Sequence, residues 1–458
     1  MRRGRGFLIL VVVALGLGAY IFFVESKRDP SEATATAKKD KVFATDSSKY
    51  EEIEVKAASG EVTTLKKVNG LWEIVTPEPL PTDSAEVGSL LTTLDTLEIQ
   101  RVVVENPTSA AEYGLEPARI AVSFKVTGEA SPKKLLVGSK TPTGGDLYAR
   151  VDGQPRVFLI SAFQEDSLNK TPFGLRDKTA LKFERDAADS IAIDVPGSPA
   201  VSFVKKGTAW RFSRPWDAKA DFGTVDGLVG KLFMAKMASI EAADGTADLK
   251  KYGLDKPQAV VTLGAGSTQA RLALGAKKAE GNLYARDLSR PMVFTIDATL
   301  LDDLKKKPED LRKKEVFEFR AFSATSVSMT VGGKPLTLDK QKAPAPKDAN
   351  TPPGPDVWKQ TKPDAKDADQ GKVTDLLTTL SNLRAEKFAD KPFTSGEELV
   401  ISVKFGDDPA GQTTEEVRFR KSGGVVHAML PGEGGALIVS TAEFDKALAL
   451  ARELAGIK

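Results

Sequence analysis

Three stretches of the chain share one pattern that decides its architecture: GLWEIVTP (70–77), TAWRFSRP (208–215) and DVWKQTKP (356–363). In each stretch a Trp is followed five residues later by a Pro, and an Asp, a Val and two Leu residues follow at matching offsets. This signature consists of Trp72, Pro77, Asp83, Trp210, Pro215, Asp221, Trp358, Pro363 and Asp369. Its recurrence after 138 and then 148 residues indicates three copies of one unit.

The first two copies also match beyond the signature. YGLEP (113–117) corresponds to YGLDKP (252–257), and both copies contain LYAR. The third copy lacks the Tyr-Gly-Leu motif, reads VHAM at 426–429 and carries a Pro-rich insertion near 341–356. We therefore predict an N-terminus with an anchor (1–28), a flexible tether (29–49), repeat unit 1 (50–183), repeat unit 2 (184–319) and a degenerate repeat unit 3 (320–458).

Within a unit, short alternating segments separated by Ser-Gly and Asn-Gly predict β-hairpins. In unit 1, further strands are expected near 120–126, 133–138, 146–151 and 156–160, followed by a short helix at 161–170. A longer helix is predicted after Asp83, because Val87, Leu90 and Leu94 recur at helical spacing. Asp83 is its N-cap, and Glu86 is placed to close a capping box. Each unit is therefore expected to be α+β, an antiparallel sheet plus a helix, with the Trp in the core.

Residues 6–24, GFLILVVVALGLGAYIFFV, are nineteen uncharged residues. As a helix they would span about 28 Å, which matches the hydrocarbon core of a bilayer. Arg2, Arg3 and Arg5 precede this run, so the N-terminus is expected in the cytoplasm and the bulk of the chain in the periplasm. We predict a single-pass protein of the bacterial inner membrane. A cleaved signal peptide is the alternative, although YIFFV continues the apolar run beyond its small residues.

The composition excludes several classes of function. There is no Cys and only one His, so thiolate chemistry and multi-His metal sites are excluded. Residues 1–28 have a net charge of +4, which leaves −2 for the rest of the chain. That part has no cationic excess for binding nucleic acid. We expect no cofactor and no metal, and the oligomeric state is left open.

Five further motifs are candidates for chemical sites. His427 corresponds to Tyr148 and Tyr284 of the other copies, which indicates a sheet position and not a catalytic one. The remaining motifs are more simply interpreted as an N-cap, a hairpin loop, chance Ser-Lys spacings and solvated acidic pairs. They are Asp221-Phe222-Gly223, Gly264-Ala265-Gly266, the pairs Ser131/Lys134, Ser167/Lys170 and Ser202/Lys205, and the pairs Asp302-Asp303 and Asp407-Asp408. We therefore predict no catalytic residue.

The Trp-x4-Pro unit with its Leu-rich helix, the YGL turn, the LxxGxK strand, LYAR and the closing LR-[DK]-K together resemble the bacterial family called domain of unknown function 4340. The resemblance covers roughly residues 50–317 and extends only partly into the third copy. It implies a membrane-tethered envelope protein, of a kind often encoded beside an ABC-type export system of the gliding-motility type. It carries over no catalytic residue.

Three functions remain open from the sequence. The first is a membrane-anchored extracytoplasmic accessory or scaffold protein that binds an envelope partner such as an ABC-type transport complex. The second is a carrier or binding module for a lipid-like or glycan ligand, held in a groove between sheet and helix. The third, ranked lowest, is an envelope hydrolase.

Overall fold

The structure is a computed structural model that describes residues 39–278, 281–342, 355–406 and 411–457. The predicted anchor, residues 29–38 of the predicted tether, most of the Pro-rich insertion and Asp407-Asp408 lie outside these residues. Among the residues described, no helix is both long and apolar enough to cross a bilayer.

Each copy forms one antiparallel sheet, and the described residues give every sheet nine strands. The first sheet contains β1 (Tyr50–Lys56), β2 (Val62–Val68), β3 (Leu71–Thr76), β4 (Leu80–Pro81), β5 (Arg101–Val104), β6 (Ile120–Val126), β7 (Lys133–Lys140), β8 (Asp146–Val151) and β9 (Val157–Ser161).

The second sheet contains β10 (Ser190–Asp194), β11 (Val201–Lys206), β12 (Ala209–Arg214), β13 (Ala218–Lys219), β14 (Ser239–Ala242), β15 (Ala259–Ala265), β16 (Thr268–Lys277), β17 (Asn282–Asp287) and β18 (Val293–Asp297). The third contains β19 (Ala324–Val331), β20 (Lys334–Gln341), β21 (Val357–Lys362), β22 (Lys366–Asp367), β23 (Ala385–Ala389), β24 (Glu397–Phe405), β25 (Thr413–Ser422), β26 (Val425–Met429) and β27 (Ala436–Val439).

The strand order is the same in all three sheets. In the first sheet it runs β4-β3-β2-β1-β6-β7-β8-β9-β5. Two hairpin meanders therefore meet at the central pair β1 and β6, and the segment that connects them carries the helix and the far edge strand β5. This arrangement places the Trp-bearing strand β3 next to one edge, where only the two-residue β4 lies outside it.

The described helices are α1 (Ser84–Thr96), α2 (Glu165–Leu168), α3 (Pro172–Leu175), α4 (Phe222–Met234), α5 (Thr299–Leu304), α6 (Pro308–Leu311), α7 (Gln370–Ser381) and α8 (Thr441–Leu454). Three of them follow the signature Asp residues, each of which is an N-cap. Asp83 accepts from the Ala85 N–H at 3.1 Å, Asp221 from the Thr224 N–H at 2.8 Å and Asp369 from the Lys372 N–H at 3.1 Å. The peptide bonds that precede Pro77, Pro215 and Pro363 are all cis.

The fold is more strongly β than the α+β prediction implied. The predicted strands and the helix after Asp83 are present, and the predicted Asn-Gly turn joins β2 to β3. The sequence pattern did not predict β4 and β5, which complete the two sheet edges. Glu86 also differs from expectation, because its carboxylate bonds to the Lys170 ammonium at 2.6 Å instead of closing a capping box.

One layer of apolar side chains lies between each sheet and its helix. In copy one, Ile53, Leu65 and Ile74 from the sheet and Leu90 and Leu94 from α1 are fully buried in a single cluster. The alternation along the strands and the helical spacing along α1 direct these side chains to the same layer.

The family motifs shared by copies one and two pack against one another. Gly114 of the YGL turn has φ +69°, a left-handed conformation that favours glycine. Gly138 of the LxxGxK strand lies beneath the turn, where a Cβ would stand 2.1 Å from the Tyr113 carbonyl oxygen. The Tyr113 ring packs on Tyr148 of LYAR with centroids 5.1 Å apart. These motifs are therefore parts of one turn-on-sheet contact.

The chain divides into two compact units at the boundary between Lys178 and Thr179. The first contains copy one, and the second contains copies two and three together.

Candidate functional site

An open groove of about 610 Å³ lies in copy one beside Trp72. One wall is the end of the β2–β3 hairpin, a second wall is the segment around β4, and the third is the N-terminal half of α1. It is lined by Gly70, Leu71, Trp72, Glu73, Pro79, Leu80, Pro81, Thr82, Ser84, Val87, Gly88 and Leu91. A volume of this size is typical of ligand-binding pockets.

The main chain of Trp72 points towards this groove. Asn69 and Gly70 form a two-residue turn with φ +50° and +84°, and the turn is closed by the pair Val68 and Leu71. The next pair, Lys67 and Trp72, is therefore of the non-hydrogen-bonded kind, so the N–H and C=O of Trp72 are directed away from β2. The Thr82 hydroxyl donates to the Trp72 carbonyl at 2.7 Å. Since β4 pairs only with Glu73 and Ile74, the sheet edge at Leu71 and Trp72 has no strand partner in the described structure.

Copy three closes the same position with a side chain of its own. Gln370 is the residue after the N-cap, and its carboxamide accepts from the Trp358 N–H at 2.7 Å and donates to the Trp358 C=O at 2.8 Å. The carboxamide thus occupies the place that a peptide group of a neighbouring strand would take. Trp358 is only 7% exposed.

Copies one and two have no Gln at this position, and they differ from each other in the size of the residue after the N-cap and in the burial of the Trp. The residue after the N-cap is Phe222 in copy two and Ser84 in copy one. Trp210 is 1% exposed, whereas Trp72 is only partly buried. The Trp of each unit was expected in the core; Trp210 and Trp358 are buried there, whereas Trp72 packs against the core but is only partly buried.

The rim of the groove exposes apolar side chains. Leu71 is 72% exposed, and its cross-strand neighbour Val68 is 40% exposed. Of the described residues that line the groove, Glu73 alone is charged. The groove is therefore apolar, has an open main-chain edge along one wall and carries one negative charge.

A second notable feature is the buried ionic contact between copies two and three. Arg312, from the segment that links the two copies, donates to Glu433 at 3.3 Å and to the Gly434 carbonyl at 3.1 Å. The Arg312 and Glu433 side chains are 1% and 4% exposed. The guanidinium lies 4.7 Å from the Phe388 ring centroid, on a face where it is attracted to the ring. Burial lowers the pKa of Arg312, and the nearby Glu433 carboxylate opposes that shift.

Further bonds hold the same junction. The Trp216 indole donates to Asp390 at 3.1 Å, and the Gly434 N–H donates to the Asp217 carbonyl at 2.8 Å. At the linking segment, Glu318 accepts from Lys219 at 2.7 Å and from Lys313 at 2.6 Å. Burial by itself would raise the pKa of Glu318, but these two ammonium groups outweigh it and lower the pKa to about 2.

His427 lies in β26 and is 4% exposed. Its ring stacks on Phe393 with centroids 3.7 Å apart, and its Nδ1 accepts from the Phe393 N–H at 3.2 Å. Burial lowers the pKa of His427. Copy three, which lacks the YGL motif, thus has a Phe–His contact at His427 where copy one has the Tyr113–Tyr148 contact.

In two of the three Ser-Lys pairs, the Ser and the Lys contact different groups. Ser167 bonds to Ser89 at 3.1 Å while Lys170 bonds to Glu86, and Ser202 bonds to Ser213 at 2.8 Å. Lys205 lies 5.6 Å from the Trp210 ring centroid.

The other chemical motifs have structural roles too. Asp303 pairs with Lys231 and Lys306, and Gly264-Ala265-Gly266 lies in the hairpin between β15 and β16. Within the part of the chain that the structure describes, no group of three or more acidic or His side chains could hold a metal ion.

The chain matches the family model described as Domain of unknown function (DUF4340), over residues 72–214 and again over 210–399. Because these matches together span more than half of the chain, the protein belongs to this family. Each match begins at a signature Trp and extends past the next one. No curated protein and no solved structure matches the chain.

Proposed function

We propose that this protein is a membrane-anchored extracytoplasmic accessory protein that binds an envelope partner, such as a membrane transport complex, through the groove of copy one. The observation that supports this most strongly is the difference among the copies. The groove beside the Trp is open and apolar in copy one, whereas Gln370 closes it in copy three and Trp210 is buried in copy two. Exposed apolar surface that lines a concave site is typical of binding surfaces.

In this proposal the second unit has a different role. Buried charged pairs contribute little net stability, but removing one partner is costly, so they suit contacts that must keep one arrangement. The pair Arg312 and Glu433 is of this kind. It holds copies two and three in a fixed geometry, as expected for a scaffold.

The experiment is site-specific photo-crosslinking in native membranes with the full-length protein. A photoreactive amino acid replaces Leu71, and in matched controls it replaces Ala209 or Val357, the corresponding positions of the other copies. We expect one reproducible protein adduct from position 71 and none from 209 or 357. Equal adducts from all three positions, or recovery of the protein in the soluble fraction of cells, would contradict the proposal.

A second candidate is a carrier of a lipid-like ligand, and the apolar lining of the groove favours it. Mass spectrometry of the protein purified without detergent tests this candidate. A stoichiometric acyl-chain compound that Ser84→Gln removes would support a carrier.

A further inference from the structure

We propose that the partner of the copy-one groove is an extended peptide segment, apolar and free of acidic residues, which adds alongside Leu71 and Trp72 as an extra strand at the sheet edge. This inference rests on the proposed function, because it names the chemistry of the partner. Addition of a strand to an exposed sheet edge is a recurring mode of peptide recognition.

The third copy shows which chemical group fits the position. The carboxamide of Gln370 has one acceptor and one donor side by side, as a peptide group does, and it bonds both main-chain atoms of Trp358. Ser84 of copy one is too short to reach across in the same way. A carbonyl oxygen from an incoming strand would therefore meet the Trp72 N–H, in the place that the Gln370 oxygen takes at Trp358.

The side chains around the groove define what the segment carries. Leu71, Leu80 and Leu91 provide apolar walls for alternate side chains of a strand. Glu73 places a negative charge at the wall, which disfavours an acidic residue in the segment and favours a neutral or basic one.

The same charge argues against a phospholipid as the occupant. A phosphate headgroup would need cationic or polar N–H donors, whereas Glu73 is the one charged group among the described lining residues. An acyl chain also has no hydrogen-bonding group that could pair with the Trp72 main chain in the groove.

The length of chain before the structure limits where the partner lies. The fourteen residues 25–38 separate the predicted anchor from Lys39, and fully extended they would span about 48 Å. Asp40 is bonded to Ile99, just beyond the C-terminal end of α1, and α1 itself is about 20 Å long. With residues 6–24 in a bilayer, the groove stays within about 70 Å of the membrane surface. The segment therefore belongs to a partner in, or close to, the same membrane.

The test uses the full-length protein in lipid nanodiscs and a phage library of random nonapeptides. Selection is made on the wild-type protein alone, and the enriched peptides are then tested on Ser84→Gln, which should close the groove as Gln370 does in copy three. We expect enriched peptides with alternating apolar residues and no acidic residue. Their affinity, measured by fluorescence anisotropy, should fall about tenfold or more in Ser84→Gln and stay within about twofold in the matched control Ser84→Ala.

Two further measurements test whether the peptide binds as an added strand. Replacing a single amide of the peptide by an ester weakens its carbonyl acceptor. The affinity of the peptide should therefore fall when the replaced amide is the one whose carbonyl oxygen meets the Trp72 N–H. Leu71→Ser, a change at an exposed residue that leaves folding intact, should also weaken binding. The inference is overturned if no peptide is enriched, if Ser84→Gln binds as well as wild type, if no ester substitution matters, or if palmitate displaces the peptide. A soluble full-length protein in cells would contradict the proposed function but leave these affinities as they are.

Discussion

The contact between copies two and three gives the sharpest prediction about stability. Arg312→Ala removes a guanidinium that is 1% exposed and leaves Glu433, 4% exposed, without its counter-charge. The variant also loses the charged hydrogen bond to the Gly434 carbonyl and the contact with Phe388. Breaking a buried pair from one side typically costs about 3–5 kcal/mol, because the remaining charge stays desolvated. We expect a loss in that range.

Replacing both partners has a different expected result. The Nε of Arg312 and the Oε1 of Glu433 are buried without a hydrogen-bond partner in the described structure. The pair is therefore incompletely satisfied, and apolar groups of similar volume remove that deficit. The double variant Arg312→Leu with Glu433→Leu should lie within about 1 kcal/mol of the wild type. Lys66→Ala serves as the exposed control, since Lys66 is 50% exposed in its pair with Glu52. This substitution should destabilise the protein by less than about 1 kcal/mol.

Hydrogen exchange with mass spectrometry on the full chain measures these effects copy by copy, which a global melting curve of a multi-unit protein cannot do. A loss of 3–5 kcal/mol accelerates exchange by about 150- to 4,000-fold in peptides from 383–390 and 430–439. Peptides from 62–76 in copy one should be unchanged. A cost below about 1 kcal/mol for Arg312→Ala, or a double variant as unstable as the single one, would refute the reasoning.

Three other predictions follow from the described contacts. Trp210→Ala should destabilise its copy by about 3–5 kcal/mol, whereas Trp72→Ala should cost about 2 kcal/mol because Trp72 is already partly exposed. Hydrogen exchange during thermal unfolding measures the two losses in their own copies. The lowered pKa of Glu318 gives a stabilisation that is complete above about pH 4.5 and is lost as the pH falls towards 2. Glu318→Gln should therefore flatten this part of a plot of unfolding free energy against pH. The raised pKa of Glu415 changes stability with pH in the opposite direction. Because the pKa of His427 is lowered in the folded protein, the unfolded chain binds a proton at this residue more readily. Stability should therefore fall as the pH drops below about 6.5. A melting temperature that does not change between pH 7.5 and 5 would contradict this.

Local sequence signals predicted most of the repeated architecture. The N-cap Asp residues, the Leu stripe of α1 and the Asn-Gly turn each determine structure over a few residues, so they can be recognised without the fold. The edge strands β4 and β5 were missed because one has two residues and the other four, too short for an alternating pattern to show. The Arg312–Glu433 pair joins residues 121 positions apart and has no local signal at all.

The open groove had a sequence signal, but it lay in the differences among the copies and not in their similarities. Position 84 is aligned with Phe222 and Gln370 through the shared N-cap, so the loss of a large side chain in copy one is visible in the sequence. The open main-chain edge beside this position is not visible in the sequence. It depends on the direction of the Trp72 N–H and C=O groups, and that direction follows from the register of β2 and β3.

The way copies one and two differ bears on the proposal that the groove is a binding surface. In copy two, large Phe222 on the helix side corresponds to small Ala218 on the strand side; in copy one the sizes are reversed, with Ser84 on the helix and Leu80 on the strand. Phe222 is itself 53% exposed, so the exchange of sizes does not give a closed contact between helix and strand in copy two. In copy one, Leu71 is 72% exposed at the rim of a groove of about 610 Å³. Exposure of a large apolar side chain beside an open groove costs free energy in the isolated protein, and the proposed partner would recover that cost by covering Leu71.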